Sequence, residues 1–116
     1  MPLSDAAMAI LDTINMDGRT FLFGRNLSAP FSGYSKAKHE LDLECKIADW
    51  RLHDYRRTGS TRMGENGVLP HVVEAVLNHV SGSKGGVAGV YNKAMYLKEK
   101  REALNTLASF VMRVVG

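Results

Sequence analysis

The stretch LHDYRRTGSTRMGENGVLPHVVEAVLNHV, residues 52–80, decides how the chain is read, because it predicts two helices joined by a short glycine-containing link. The first is expected to begin near His53 or Asp54 and to end around Gly64 to Gly67. The second has Pro70 in its first turn, where a missing N–H costs nothing, and runs on through HVVEAVLNHV. Val73, Val76, Leu77 and Val80 recur at helical spacing and should face inward. Over Arg51 to Met63 four arginines stand against one acid, Asp54, so this window carries the formal +3 of the whole chain and leaves the remainder balanced. His53 and Arg56 are three apart and share a helical face, where they can converge on one anion, whereas Arg57 is expected about a quarter-turn away. Arginine grips phosphate oxygens through two parallel N–H donors, so the cluster suits a phosphate ester. The bland alternative is a charged helix start in which Asp54 and Arg57 pair with surface charges.

Working outward, the N-terminal MPLSDAAMAILDTINMDG reads as a helix capped by Ser4, with Asp5 at its positive end, Gly18 as its stop, and Ala7, Ile10, Leu11 and Ile14 as its buried stripe. Thr20 to Phe23 is a short apolar, β-like run, and Gly24 to Gly33 is loop. A second amphipathic helix is expected from about Ser35 to Ala48, with Ala37, Leu41, Cys45 and Ala48 on one face. Beyond residue 80 the small-residue stretch SGSKGGVAG reads as a loop that delivers Val90, Tyr91 and Asn92. A long final helix, about Leu97 to Val115, carries Leu104, Leu107, Val111 and Val114 as its apolar stripe. Its Lys98, Glu99, Lys100, Arg101 and Glu102 make a solvated face. The expected class is mainly α: about five helices with at most one short strand.

A chain of 116 residues that is 45% hydrophobic predicts one small globular domain, or part of a larger one. At this size folding buries roughly 65% of the unfolded surface, enough for a core without metal or disulfide staples. Cys45 is the single cysteine and has no internal disulfide partner; with no residue nearby to activate a thiolate, it reads as a core residue. No signal peptide and no apolar run of membrane-spanning length is present, so a cytoplasmic protein without a membrane partner is expected. A pI near 9.2 is compatible with a nucleic-acid partner, although +3 is too small a charge to require one.

Order and spacing add more than the totals. His53-x-x-Arg56, then Leu77-Asn78-His79, then Tyr91 within Gly89-Val90-Tyr91-Asn92, followed by a long terminal helix, resembles the C-terminal part of the catalytic domain of phage-integrase-family tyrosine recombinases. The strings LHDYRRTGSTRM, GVLPHVVEAVLNHVSG and AGVYNKAMYL are similar to stretches of prophage and genomic-island integrases, and PLSDAAMAILD and PFSGYSKAKHELD extend the resemblance over nearly the whole chain.

That resemblance implies a chemistry that cuts and rejoins double-stranded DNA with no metal, cofactor or external energy. Tyr91 would be the nucleophile, forming a 3′-phosphotyrosyl link and releasing a 5′-hydroxyl. Arg56 would hold the non-bridging oxygens, His53 would assist by hydrogen bonding or proton transfer, and His79 would donate to a non-bridging oxygen. Arg57 and Arg62 would support the site or contact the DNA backbone. A phenol of pKa about 10 needs such an environment to attack at neutral pH. The family also uses an upstream arginine and a hairpin lysine, and Pro2-Leu3-Ser4 is similar to the exit from that hairpin. Arg19, Arg25 and Lys84 match neither role. The chain would then be the helical lobe of a domain that is α+β in full-length relatives, a partial catalytic domain over 1–116. Those relatives form tetramers on DNA and exchange the C-terminal helix, so self-association is expected here too. The His79–Tyr91 interval is longer than in many members, which keeps Tyr96 as a second candidate nucleophile.

Two other classes compete. A helix-turn-helix DNA reader would use Arg56, Arg57 and Arg62 on phosphates and Tyr91 only for packing. A metal-dependent hydrolase would need His53, His71 and His79 to converge, and no carboxylate or cysteine completes a ligand set of usual spacing.

Overall fold

The computed structural model describes residues 1–24, 26–79 and 96–116, and among these the chain forms five helices and no strand. They are α1 (Asp5–Leu11), α2 (Tyr34–Cys45), α3 (Leu52–Glu65), α4 (Pro70–Leu77) and α5 (Leu97–Val115). The mainly α class expected from periodicity is what is found. The chain divides into two compact units, one of residues 1–10 and 52–116, the other of residues 11–51.

In the first unit α3, α4 and α5 pack against one another around Met63, Val72, Val73, Val76, Leu77 and Ala103, with Val68, Leu104 and Leu107 at the edge of the cluster. Met63 is its centre, 1% exposed. The inward residues expected on α4 are there, with Val72 added; Val80 lies outside the described residues. An isolated helix of eight residues would be marginal in water, and valine is a poor helix former. Burying each valine or leucine contributes roughly 1.5–3 kcal/mol, several times the propensity cost, so tertiary packing holds α4 together.

The α3–α4 link is a closed hydrogen-bonded reversal. Gly67, at φ 85°, follows α3; its N–H bonds Gly64 O at 3.0 Å, and the Val68 N–H bonds Met63 O at 3.0 Å. This paired pattern satisfies the end carbonyls of α3 and requires a residue content with the left-handed conformation, which glycine supplies. Val68 then drops onto the core and α4 begins at Pro70.

The N-terminal helix is shorter than its sequence suggests. Ser4 caps it as expected, accepting the Ala7 N–H through Oγ at 3.2 Å, and Asp5 is tied to α5 by two hydrogen bonds with the Asn105 side chain. The helix stops at Leu11 rather than near Gly18, because the Asn15 side chain takes the Asp17 N–H at 2.8 Å and stabilises a turn. Ile10, expected in the buried stripe, is exposed.

The second unit contains α2 and the segments that flank it. Thr20 to Phe23 makes bends rather than a strand: the Thr20 N–H goes to Leu27 O at 2.8 Å, and Arg19 donates to Gly24 O at 3.1 Å. Among the described residues there is no second extended segment to pair with, and an apolar run of this length forms no ladder by itself. α2 ends at Cys45, and Lys46 takes a left-handed φ of 56°. Cys45 is exposed, not buried, and so is Ala37, because this unit offers α2 no facing helix. Lys38 bridges to Asp42 at 2.6 Å and sits 4.3 Å from the centroid of the Trp50 ring.

α5 departs from expectation at both ends. Lys100, assigned to its solvated face, is 8% exposed, its stem lying along the packed side. Val111 and Val114 of the apolar stripe are exposed, Val114 at 71%. The reason is length: 19 residues extend about 28 Å and the eight of α4 about 12 Å, so the last turns of α5 outrun their partner. No helix among the described residues is long and apolar enough to cross a membrane.

Gly59 offers a direct check of this packing. A Cβ added there would meet Leu107 Cδ2 at 3.5 Å, an ordinary contact, within helical α3. Gly59→Ala is expected to stabilise the chain by about 0.5–1 kcal/mol in urea unfolding, the gain from removing glycine's backbone freedom.

Candidate phosphate-binding site

The face of α3 that carries the charge cluster is set by spacing. His53, Arg56, Arg57 and Ser60 recur at i, i+3, i+4 and i+7, so all four fall on one side of the helix. Together with Leu77 and His79 they line an open pocket of about 220 Å³. His53 and Arg56 thus line one pocket, and His79 lines it with them. Arg57, expected a quarter-turn off, also lines the pocket, because the i+3 and i+4 positions flank the direction of i on either side.

The end of α4 positions the rest. Asn78 adopts a left-handed conformation, φ 52° and ψ 36°, which asparagine tolerates better than other residues with a Cβ. The chain reverses there: the Asn78 N–H reaches Ala75 O at 3.3 Å and the His79 N–H reaches Glu74 O at 3.1 Å. Arg56 donates through Nη2 to Leu77 O, crossing from α3 to another carbonyl at the end of α4. A cation at that end also meets the negative pole of the helix. One guanidinium nitrogen is thus engaged and the planar fork is held in place, with further donors on the same group. His79 Nδ1 lies 3.0 Å from Glu74 Oε2. Ionised carboxylates only accept, so in this pair Nδ1 carries the proton.

The other basic residues are engaged elsewhere. Arg57 is 3.6 Å from Asp54 across an exposed pair, which adds little stability in water. Arg62 bridges to Glu65 at 2.8 Å and lies 5.0 Å from the centroid of the Phe110 ring. It lines a neighbouring open groove with Asp54, Arg57, Thr58, Thr61 and Glu65, not the pocket of His53 and His79. His71 is absent from that pocket as well; its ring packs against Tyr96, 5.5 Å between centroids, at the first turn of α4. Tyr96 is therefore held about 9 Å along α4 from the turn that bears Leu77. Among the described residues no group of three or more His, Cys, Asp or Glu is arranged to hold a metal ion. Tyr91 lies outside the described residues.

Two residues of the site are not obvious from sequence motifs. Ser60 continues the His53–Arg56 face by one turn and could have been found from the i+7 spacing. Glu74 is five residues before His79, and only the reversal at Asn78 makes that separation a contact.

Asn78 can be tested apart from any ligand. Asn78→Gly should leave stability nearly unchanged, whereas Asn78→Val forces a β-branched residue into the left-handed region and should cost about 1–2 kcal/mol in urea unfolding.

Comparison with known proteins adds the family. The chain is 31% identical over 114 residues to prophage integrase IntA of Escherichia coli (strain K12), an alignment covering 96% of this chain and 27% of that protein. It is 34% identical over 122 aligned positions to prophage integrase IntZ of the same strain, covering all of this chain and 29% of that protein. Neither a protein-family model nor a solved structure matches. The chain spans less than a third of the length of these curated relatives, and the alignments, which run through nearly every residue of it, relate it to the phage integrase family.

Proposed function

We propose that this chain is the helical lobe of a tyrosine recombinase catalytic domain, contributing part of the site that breaks and rejoins double-stranded DNA. The observation that carries the reading is the convergence of His53, Arg56 and His79 on one open pocket at the junction of α3 and α4. These are cations or hydrogen-bond donors, on separate elements, around a space open to a polymer backbone. A phosphodiester placed there would meet the Arg56 fork, with the two imidazoles on either flank, and Arg57 and Ser60 adding donors at the rim.

Tyr91 is the proposed nucleophile. Its phenolic oxygen bonds to phosphorus as the P–O5′ bond breaks, and the proton of the phenol is balanced by the one gained by the departing 5′-hydroxyl. The 3′-phosphotyrosyl link conserves the ester for rejoining. Arg56 would neutralise charge on the non-bridging oxygens in the transition state, with His79 as a second donor and His53 as a proton-transfer or hydrogen-bonding partner. Fixed donors of this kind are each worth about 3–4 kcal/mol in the transition state. The arginine and lysine that the family adds are not matched within these 116 residues, so this polypeptide by itself is expected to be inactive or nearly so on ordinary DNA. Arg57 and Arg62 are proposed as backbone contacts, Arg62 exchanging Glu65 for phosphate.

The test uses a pool of nicked duplexes carrying a sulfur at the bridging 5′ position. A thiolate, with a pKa near 8.5 for a typical thiol, leaves without the proton donation an alkoxide needs. A trace covalent adduct is expected from the unsubstituted chain and none from Tyr91→Phe, with duplex affinity equal in both. Binding without an adduct from either protein would instead favour the helix-turn-helix reader, for which the α3–link–α4 geometry is the supporting observation. Arg57→Ala should weaken binding of all sequences alike and reduce the salt slope of log K by about 1.

A further inference from the structure

The usual companion of the reversal that ends α4 is an apolar contact between the residue just past the left-handed position and the third residue from the helix end. Here those two positions are His79 and Glu74, and the contact between them is polar, Nδ1 to Oε2 at 3.0 Å. The backbone and the side chains therefore join the same two residues twice: the His79 N–H to Glu74 O, and the His79 ring to the Glu74 carboxylate. Two links at one residue remove most of the freedom that an exposed imidazole on a helix end would otherwise keep.

We infer that Glu74 is a positioning residue for His79: by accepting from Nδ1–H it fixes the orientation of the ring, so that Nε2, which carries a proton in the charged ring, is the nitrogen that donates to a phosphate diester in the pocket. The inference rests on the phosphate-binding reading of that pocket. A ring free to choose favours the Nε2–H tautomer, and only a partner at Nδ1 reverses the preference. In the charged ring Nε2–H is then the donor that reaches a non-bridging oxygen. The ionisable groups facing His79 are Glu74 on its own element and His53, Arg56 and Arg57 across the pocket on α3. Glu74 supplies the one negative charge among them. Half-exposed as it is, Glu74 contributes little to the folded state, so its substitution tests the site and not the fold.

Glu74→Ala and Glu74→Gln separate the orienting acceptor from mere packing, since glutamine keeps an oxygen at the same reach. Ring-nitrogen chemical shifts should show neutral His79 as the Nδ1–H tautomer in the unsubstituted chain and in Glu74→Gln, and as Nε2–H in Glu74→Ala. Affinity for a short duplex should fall about two- to tenfold in Glu74→Ala, the worth of one hydrogen bond, and recover in Glu74→Gln. If His79→Ala weakens duplex binding while Glu74→Ala leaves tautomer and affinity unchanged, Glu74 does not position the ring and this inference alone falls. If neither Arg56→Ala nor His79→Ala weakens duplex binding, the phosphate reading of the pocket fails, and the role given to Glu74 fails with it.

Discussion

The carbonyls at the end of α4 have to be satisfied, and the way they are satisfied builds the site. A helix leaves its last carbonyl oxygens without intrahelical partners. In this chain the left-handed turn at Asn78 returns two backbone N–H groups to Ala75 and Glu74, and Arg56 arrives from α3 to take Leu77 O. The first two bonds place His79 beside the helix it has just left. The third holds the guanidinium at the mouth of the same pocket. A capping problem that any buried helix faces is thus solved here with groups able to bind an anion.

That arrangement depends in turn on the three-helix core. α4 is too short and too rich in valine to persist alone, and it exists because Val72, Val73, Val76 and Leu77 are covered by α3 and α5. Leu77 has both roles: its side chain belongs to the core while its carbonyl belongs to the site. The floor of the pocket is thus part of the core, and its walls are the arginine and histidine side chains of α3 and of the turn after α4.

The electrostatics of α3 are less simple than its net charge. Four arginines near one acid suggest a uniform positive patch, yet Arg57 and Arg62 each have an acidic neighbour on the same helix, and Arg56 is bound to a carbonyl. What distinguishes Arg56 is that its partner is neutral, so its full charge remains for a ligand. The i, i+3 partners of the other two weaken the local field without abolishing it, and exposed pairs of this kind exchange readily with other anions.

Helical class, the boundaries of α3 and α5, the cap at Ser4 and the shared face of His53 and Arg56 were all legible in the sequence, because each follows from interactions within a few residues: periodicity, capping and the i, i+3 rule. Burial was less legible wherever it depended on what faces a helix. Cys45 and Val114 look like core residues by spacing and are exposed because no element among the described residues covers them, while Lys100 looks solvated and is not. The meeting of Arg56 with Leu77 was decided by tertiary structure alone, whereas that of Glu74 with His79 follows from the local reversal at Asn78. Sequence specifies which residues share a helical face, but which carbonyl an arginine reaches depends on how two helices cross, and that is set by packing around Met63.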